Sequence, residues 1–184
     1  MNFPDIKVPY LDDRTIEERA GQFLAKHHPE MSMPVPVEEI VEYKLGLDII
    51  PLDGFQRNFG LEGQLSNDLR EISVDLRIYE KIPRRYRFTL AHEVGHLILH
   101  KNVFEAMRYD SPDEWLALVS SFPAETYGTM EYQAYQFAGS LLVPLRILRE
   151  NVERDGVGRH LLERFDVSLD VIKRRLTMLG IGTI

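Results

Sequence analysis

Between Thr89 and His100 the chain reads TLAHEVGHLILH, an order of residues that allows little besides a helix with unlike faces. At about 100° per residue, His92 and His96 fall roughly 40° apart, with Glu93 and His100 at the edge of their face. Leu90, Val94, Leu97 and Ile98 lie on the opposite side. Ala91 and Gly95 occupy a third sector, where small size lets another backbone come close. Such a helix packs its apolar side into a core and turns its histidines toward something polar. The stretch contains no Lys or Arg, so it does not read as an ordinary solvated face, and burying several imidazoles without partners is costly. The spacing His-Glu-x-x-His suggests the partner. Two imidazoles one turn apart can hold a single zinc-type ion, and the Glu beside the first reaches the water which that ion activates.

Composition limits the alternatives. The 184 residues are 44% hydrophobic with ten scattered prolines, which fits one globular domain over residues 1–184. With no cysteine there is no disulfide framework and no thiolate site, so a metal would be held by nitrogen and oxygen. The N-terminal MNFPDIKVPYLDD lacks the basic and apolar regions of a secretory signal, and no window approaches about eighteen apolar residues. A cytoplasmic protein with no membrane association is therefore expected. A net charge of −7 disfavours direct nucleic-acid binding. The basic runs Arg84-Arg85-Tyr86-Arg87 and Lys173-Arg174-Arg175 read as solvated helix faces.

Thr15 and Glu18 have capping-box spacing, and Ile16, Ala20, Phe23 and Leu24 recur at helical intervals, so a first helix is expected over about residues 15 to 27. VEEIVEYKLG reads as a short helix closed by Gly46, and LDIIPL as a strand. LEGQLS and REISVDL flank Asn67-Asp68 and read as a hairpin. Lys101 to Thr129 shows no clear period and reads as a short helix or a lid facing substrate. Beyond it, EYQAYQFAGSLLVP and the segments after Pro144 are helical, with Ser168 as an N-cap. The expected class is α+β: a small mixed or antiparallel sheet of about three strands packed on a helical zincin-like core, with a helical C-terminal half.

A catalytic zinc needs a third protein ligand and one open position. The extended motif with a third histidine fails, because Leu99 and Asn102 stand where Gly and His are required. Spacing leaves Glu131, Glu125, Glu114, Asp113 and Asp110 open as carboxylate candidates. His100, turned about 80° from His92, reads as a packing or supporting histidine rather than a ligand. His27, His28 and His160 read as surface residues.

At this point the sequence resembles the ImmA/IrrE family of metallopeptidases, over about residues 37–180. The residues carrying the resemblance are VEEIVEYKLGLDIIPL, REISVDL, RRYRFTLAHEVGHLILH, EYQAYQFAGSLLVP and FDVSLDVIKRRLTMLG. The resemblance implies His92, His96 and Glu131 as zinc ligands, with Glu93 as the catalytic carboxylate that takes a proton from water and returns it to the leaving amine. It also implies a protein partner, a helix-turn-helix repressor, cut in a stress or mobile-element circuit. Tyr135 departs from the pattern, since many relatives carry Asn one turn after the ligand glutamate; it is expected to pack. Tyr127, Tyr132, Tyr135 and His100 are candidates for stabilising an oxyanion. The alternative function is a non-proteolytic module of the same fold, a toxin-antitoxin or repressor-sequestering component. The intact Glu93 weighs against it.

Overall fold

The computed structural model describes residues 8–106, 111–121 and 123–182, without the side chains of Val119 and Tyr127. Helix α1 (Asp13–His27) is capped by Asp12, whose carboxylate accepts from the backbone of Thr15 at 2.8 Å. Thr15 therefore lies in the third helical position and is not the cap, because Asp12 already satisfies the free N–H. Helix α2 (Val37–Glu39) widens into a π turn over Ile40–Lys44 and ends before Gly46.

Three strands follow: β1 (Asp48–Leu52), β2 (Gly63–Leu65) and β3 (Glu71–Asp75). Their order is β1-β3-β2, with β3 parallel to β1 and antiparallel to β2, so the sheet is mixed. Pro51, which cannot donate to a ladder, sits on the edge strand β1. Between β1 and β2 runs α3 (Phe55–Phe59), which is too short to show a period in sequence. Asp75 ends β3 and caps α4 (Leu76–Lys81), accepting from the backbones of Arg77 and Ile78.

Helix α5 (Pro83–Leu99) carries the HEVGH stretch and begins with proline at its first position, where a missing N–H costs nothing. The segment expected as a short helix or lid forms α6 (Lys101–Ala106) and α7 (Pro112–Ser120). Helix α8 (Ala124–Leu142) starts right after Pro123, so Glu131 lies inside it rather than opening it. The first turns of α8 are largely exposed, and burial begins at Met130. Helices α9 (Leu145–Asp155), α10 (His160–Phe165) and α11 (Leu169–Met178) complete the chain, and Ser168 caps α11 as expected. One apolar cluster, including Ile16, Ile72, Leu90, Phe137 and Leu176, joins the sheet to the helices.

The arginine runs are solvated only in part: Arg85 and Arg174 are exposed, but other members are tied into the fold. Arg84 and Arg87 both reach Asp166, Arg87 also donates to the Val35 carbonyl, and Arg85 pairs with Glu62. Arg175 is 2% exposed and donates to Glu17, Ser140 and the Val143 carbonyl. His28 is likewise buried, with its ring against Glu30 and the Ser32 carbonyl, and His160 is half-buried. The arginines' partners lie far away in the chain, so local sequence does not announce them.

Candidate active site

Helix α5 brings its histidines to α8 through a close contact of small residues. A Cβ at Gly95 would meet the Ala134 carbonyl oxygen at 3.0 Å and its Cα at 3.1 Å. The two backbones approach only because Gly95 has no side chain. On the other flank, a Cβ at Gly63 would fall 2.5 Å from Thr89 Cγ2 and 3.2 Å from Glu93 Oε1, so β2 lies directly against α5.

Around these contacts a cleft of about 290 Å³ opens, and His92, Glu93, His96, Glu131 and Tyr135 are among the residues lining it. His92 Nε2 lies 3.2 Å from Glu131 Oε2, His96 Nε2 3.4 Å from Glu131 Oε1, and the two Nε2 atoms are 3.0 Å apart. Bond lengths of about 2.0 Å in a tetrahedron place neighbouring ligand atoms roughly 3.3 Å apart, so these three donors fit one zinc-sized ion. His92, His96 and Glu131 are thus a group that could hold a metal. Burial alone would raise the Glu131 carboxyl, but hydrogen bonds from His92 and His96 hold it well below the usual carboxylate range. Burial pulls His92 down, yet its bond to Glu131 and the neighbouring carboxylates leave it raised.

Glu93 is buried, and burial pushes its carboxyl up while His96 and His92 pull the other way. The Leu65 backbone N–H donates to Glu93 Oε2 at 2.9 Å, which fixes the side chain from the β2 side. The sequence places this strand but gives no sign of that bond, which joins a backbone amide to a carboxylate on another element. Behind the cleft, His96 Nδ1 is 3.1 Å from His100 Nδ1, and His100 Nε2 is 2.9 Å from Gln133 Oε1. Burial, then the nearness of His96, pushes His100 down to about 3, so its ring is neutral.

Of the alternative carboxylates, Glu125, Glu114 and Asp113 are exposed and none lines the cleft; Asp110 lies outside the described residues. Tyr132 gives its hydroxyl to Asp13 at 2.9 Å, away from the cleft, and the Tyr127 side chain is outside the described residues. Tyr135 packs as expected: its ring centroid is 4.9 Å from that of Phe88, and the Arg174 guanidinium carbon sits 4.9 Å from it. The same ring also forms part of the cleft wall. Phe104 of α6 and Trp115 of α7 stack at 5.4 Å and line the opposite side, so the aperiodic stretch supplies cleft wall.

A histidine pair one turn apart, a carboxylate beside the first and a glutamate from the adjoining helix define a site of the HExxH metallopeptidase type. Residues 79–177, more than half of the chain, match Peptidase_M78, the IrrE N-terminal-like domain; the chain belongs to this family, the ImmA/IrrE metallopeptidases. A search of curated protein sequences returns no match. Among solved structures, a Mycobacterium tuberculosis transcriptional regulator is similar, with a TM-score of 0.60 and 17% identity, over 91% of this chain and 47% of that one. The likeness at this identity concerns the fold, and the chain spans about half the length of that regulator. Among the described residues, no helix is long and apolar enough to cross a membrane.

Proposed function

We propose that the protein is a cytoplasmic zinc-dependent metalloendopeptidase of regulatory type, cleaving a helix-turn-helix transcriptional repressor in a stress-response or mobile-element circuit. The observation that carries the reading is the convergence of His92, His96 and Glu131 beside Glu93, whose carboxylate is pinned by the Leu65 amide. The regulator among the structural neighbours supports a regulatory setting.

In this reading His92, His96 and Glu131 hold the ion. Bound zinc supplies Lewis acidity, polarising a water molecule and the scissile carbonyl. Glu93 accepts the proton of the attacking water and returns it to the leaving amine. Its burial, by raising the carboxyl, favours that second transfer, in which the group must be an acid. The cleft admits an extended segment rather than a helix, because a helical carbonyl is already engaged by its own chain. The scissile bond therefore lies in an extended or locally unfolded part of the repressor.

Zinc-loaded wild type and Glu93→Gln, each mixed with the repressor encoded nearby and with unfolded casein, test the proposal by fragment mapping. Wild type should cut the repressor at one or a few bonds. The variant should keep its zinc and lose at least about 10²-fold in rate. Equal cleavage by the variant removes Glu93 from the mechanism. Casein digestion with the repressor intact leaves a general peptidase, and binding without cleavage leaves the sequestering module.

A further inference from the structure

The Pro9 carbonyl, outside the family-matched region, anchors a row of hydrogen-bonding side chains that ends at the candidate metal site. A backbone carbonyl can only accept, so the Gln133 group 2.8 Å from Pro9 O is the amide nitrogen, as placed. Gln133 Oε1 must then face His100, where it accepts from His100 Nε2–H at 2.9 Å. A metal held through His96 Nε2 would leave the single proton of that ring on Nδ1, so His100 Nδ1, 3.1 Å away, is then the acceptor. The remaining nitrogen of His96, Nε2, faces His92 Nε2 and Glu131 and is the one available to a metal.

We propose that His100 and Gln133 are positioning residues for His96, a relay anchored on the Pro9 carbonyl that holds the His96 ring in the Nδ1–H tautomer and presents Nε2 to the metal. The proposal rests on the metal-site reading above. Metal-binding histidines generally give their second N–H to an acceptor, most often a carboxylate or carbonyl. Here the acceptor is a second neutral imidazole, which can accept only while Gln133 takes its own proton. His100, Gln133 and Pro9 are placed for this by separate elements: the end of α5, the middle of α8 and the segment before α1.

The test compares wild type, His100→Phe, Gln133→Leu and Gln133→Glu. Zinc affinity is measured by chelator competition, and ring tautomers by two-bond ¹H–¹⁵N correlation spectra of the zinc-loaded, histidine-labelled protein. Wild type should show His100 as the Nε2–H tautomer. His100→Phe and Gln133→Leu should bind zinc about 10- to 100-fold more weakly. Gln133→Glu, which loses the donor to Pro9 but keeps an acceptor for His100, should stay much closer to wild type. Circular dichroism separates misfolding from relay loss, and the Leu and Glu variants differ at the same buried position by the acceptor. Zinc affinity unchanged in both His100→Phe and Gln133→Leu, or His100 found as the Nδ1–H tautomer in wild type, overturns the relay while leaving the metal site standing. Failure of wild type to bind zinc overturns both.

Discussion

Gly95 on α5 sits against Ala134 on α8 so closely that one added methyl would meet the Ala134 carbonyl oxygen at 3.0 Å. Alanine at position 95 gains helix propensity of about 1 kcal/mol. The obstacle is backbone, however, and overpacking of that kind costs about 1–3 kcal/mol. Gly95→Ala should therefore be mildly destabilised in thermal unfolding, and its α8 should shift and carry Glu131 away from the histidines. Reduced zinc content in a folded Gly95→Ala protein is the expected sign, and full content would show that the spacing of α5 and α8 is not what sets the site.

Glu131→Ala should lower zinc stoichiometry sharply in elemental analysis, because two imidazoles alone make a weak site for this ion. Glu125→Ala and Glu114→Ala, both at exposed residues away from the cleft, should leave it unchanged. A loss in either control with none in Glu131→Ala would move the third ligand.

The Arg175 guanidinium donates to Glu17 at 2.6 Å from a site where it is 2% exposed. Removing only the acid strands a buried charge, so Glu17→Leu should cost about 3 kcal/mol in urea unfolding. Glu17→Leu combined with Arg175→Met should cost much less than the sum of the single changes, since the stranded charge is gone.

Burial, followed by a hydrogen bond to Glu38, raises the Tyr86 phenol well above its ordinary value of 10.0. The neutral form is the one favoured on folding, so this contribution to stability is fully present below about pH 10 and declines as pH rises further. Tyr86→Phe should be somewhat less stable than wild type at pH 7 and should lose stability less steeply above pH 10. Parallel slopes in urea titrations at the two pH values would contradict this.

How much of this was legible in the sequence depends on the range of the interactions involved. Helix α5 and its two faces follow from residue order alone, because period and apolar stripe are local. The β2–β3 hairpin follows from Asn67-Asp68, and the Ser168 cap from the same kind of local signal. Glu131 was one of five open carboxylates until the family resemblance, since nothing local says which one folds back to His92. The unread parts are long-range: Arg175 finds Glu17 158 residues away, and Gln133 finds Pro9 across 124. Helix α3 is too short to show a period and is anchored by the buried Phe55, and the first turns of α8 carry no apolar period either.

The bond from the Leu65 amide to Glu93 spans 28 residues, and the approach of Glu131 to His92 spans 39. During synthesis these pieces leave the ribosome at different times. A nascent chain that has completed α5 holds both histidines and Glu93, but it lacks Glu131 until α8 emerges. A polypeptide interrupted before that point, or one unfolded by heat, carries the constituents of the centre without their arrangement. The growing chain is thus shielded from the proposed hydrolytic chemistry until α8 has closed on α5.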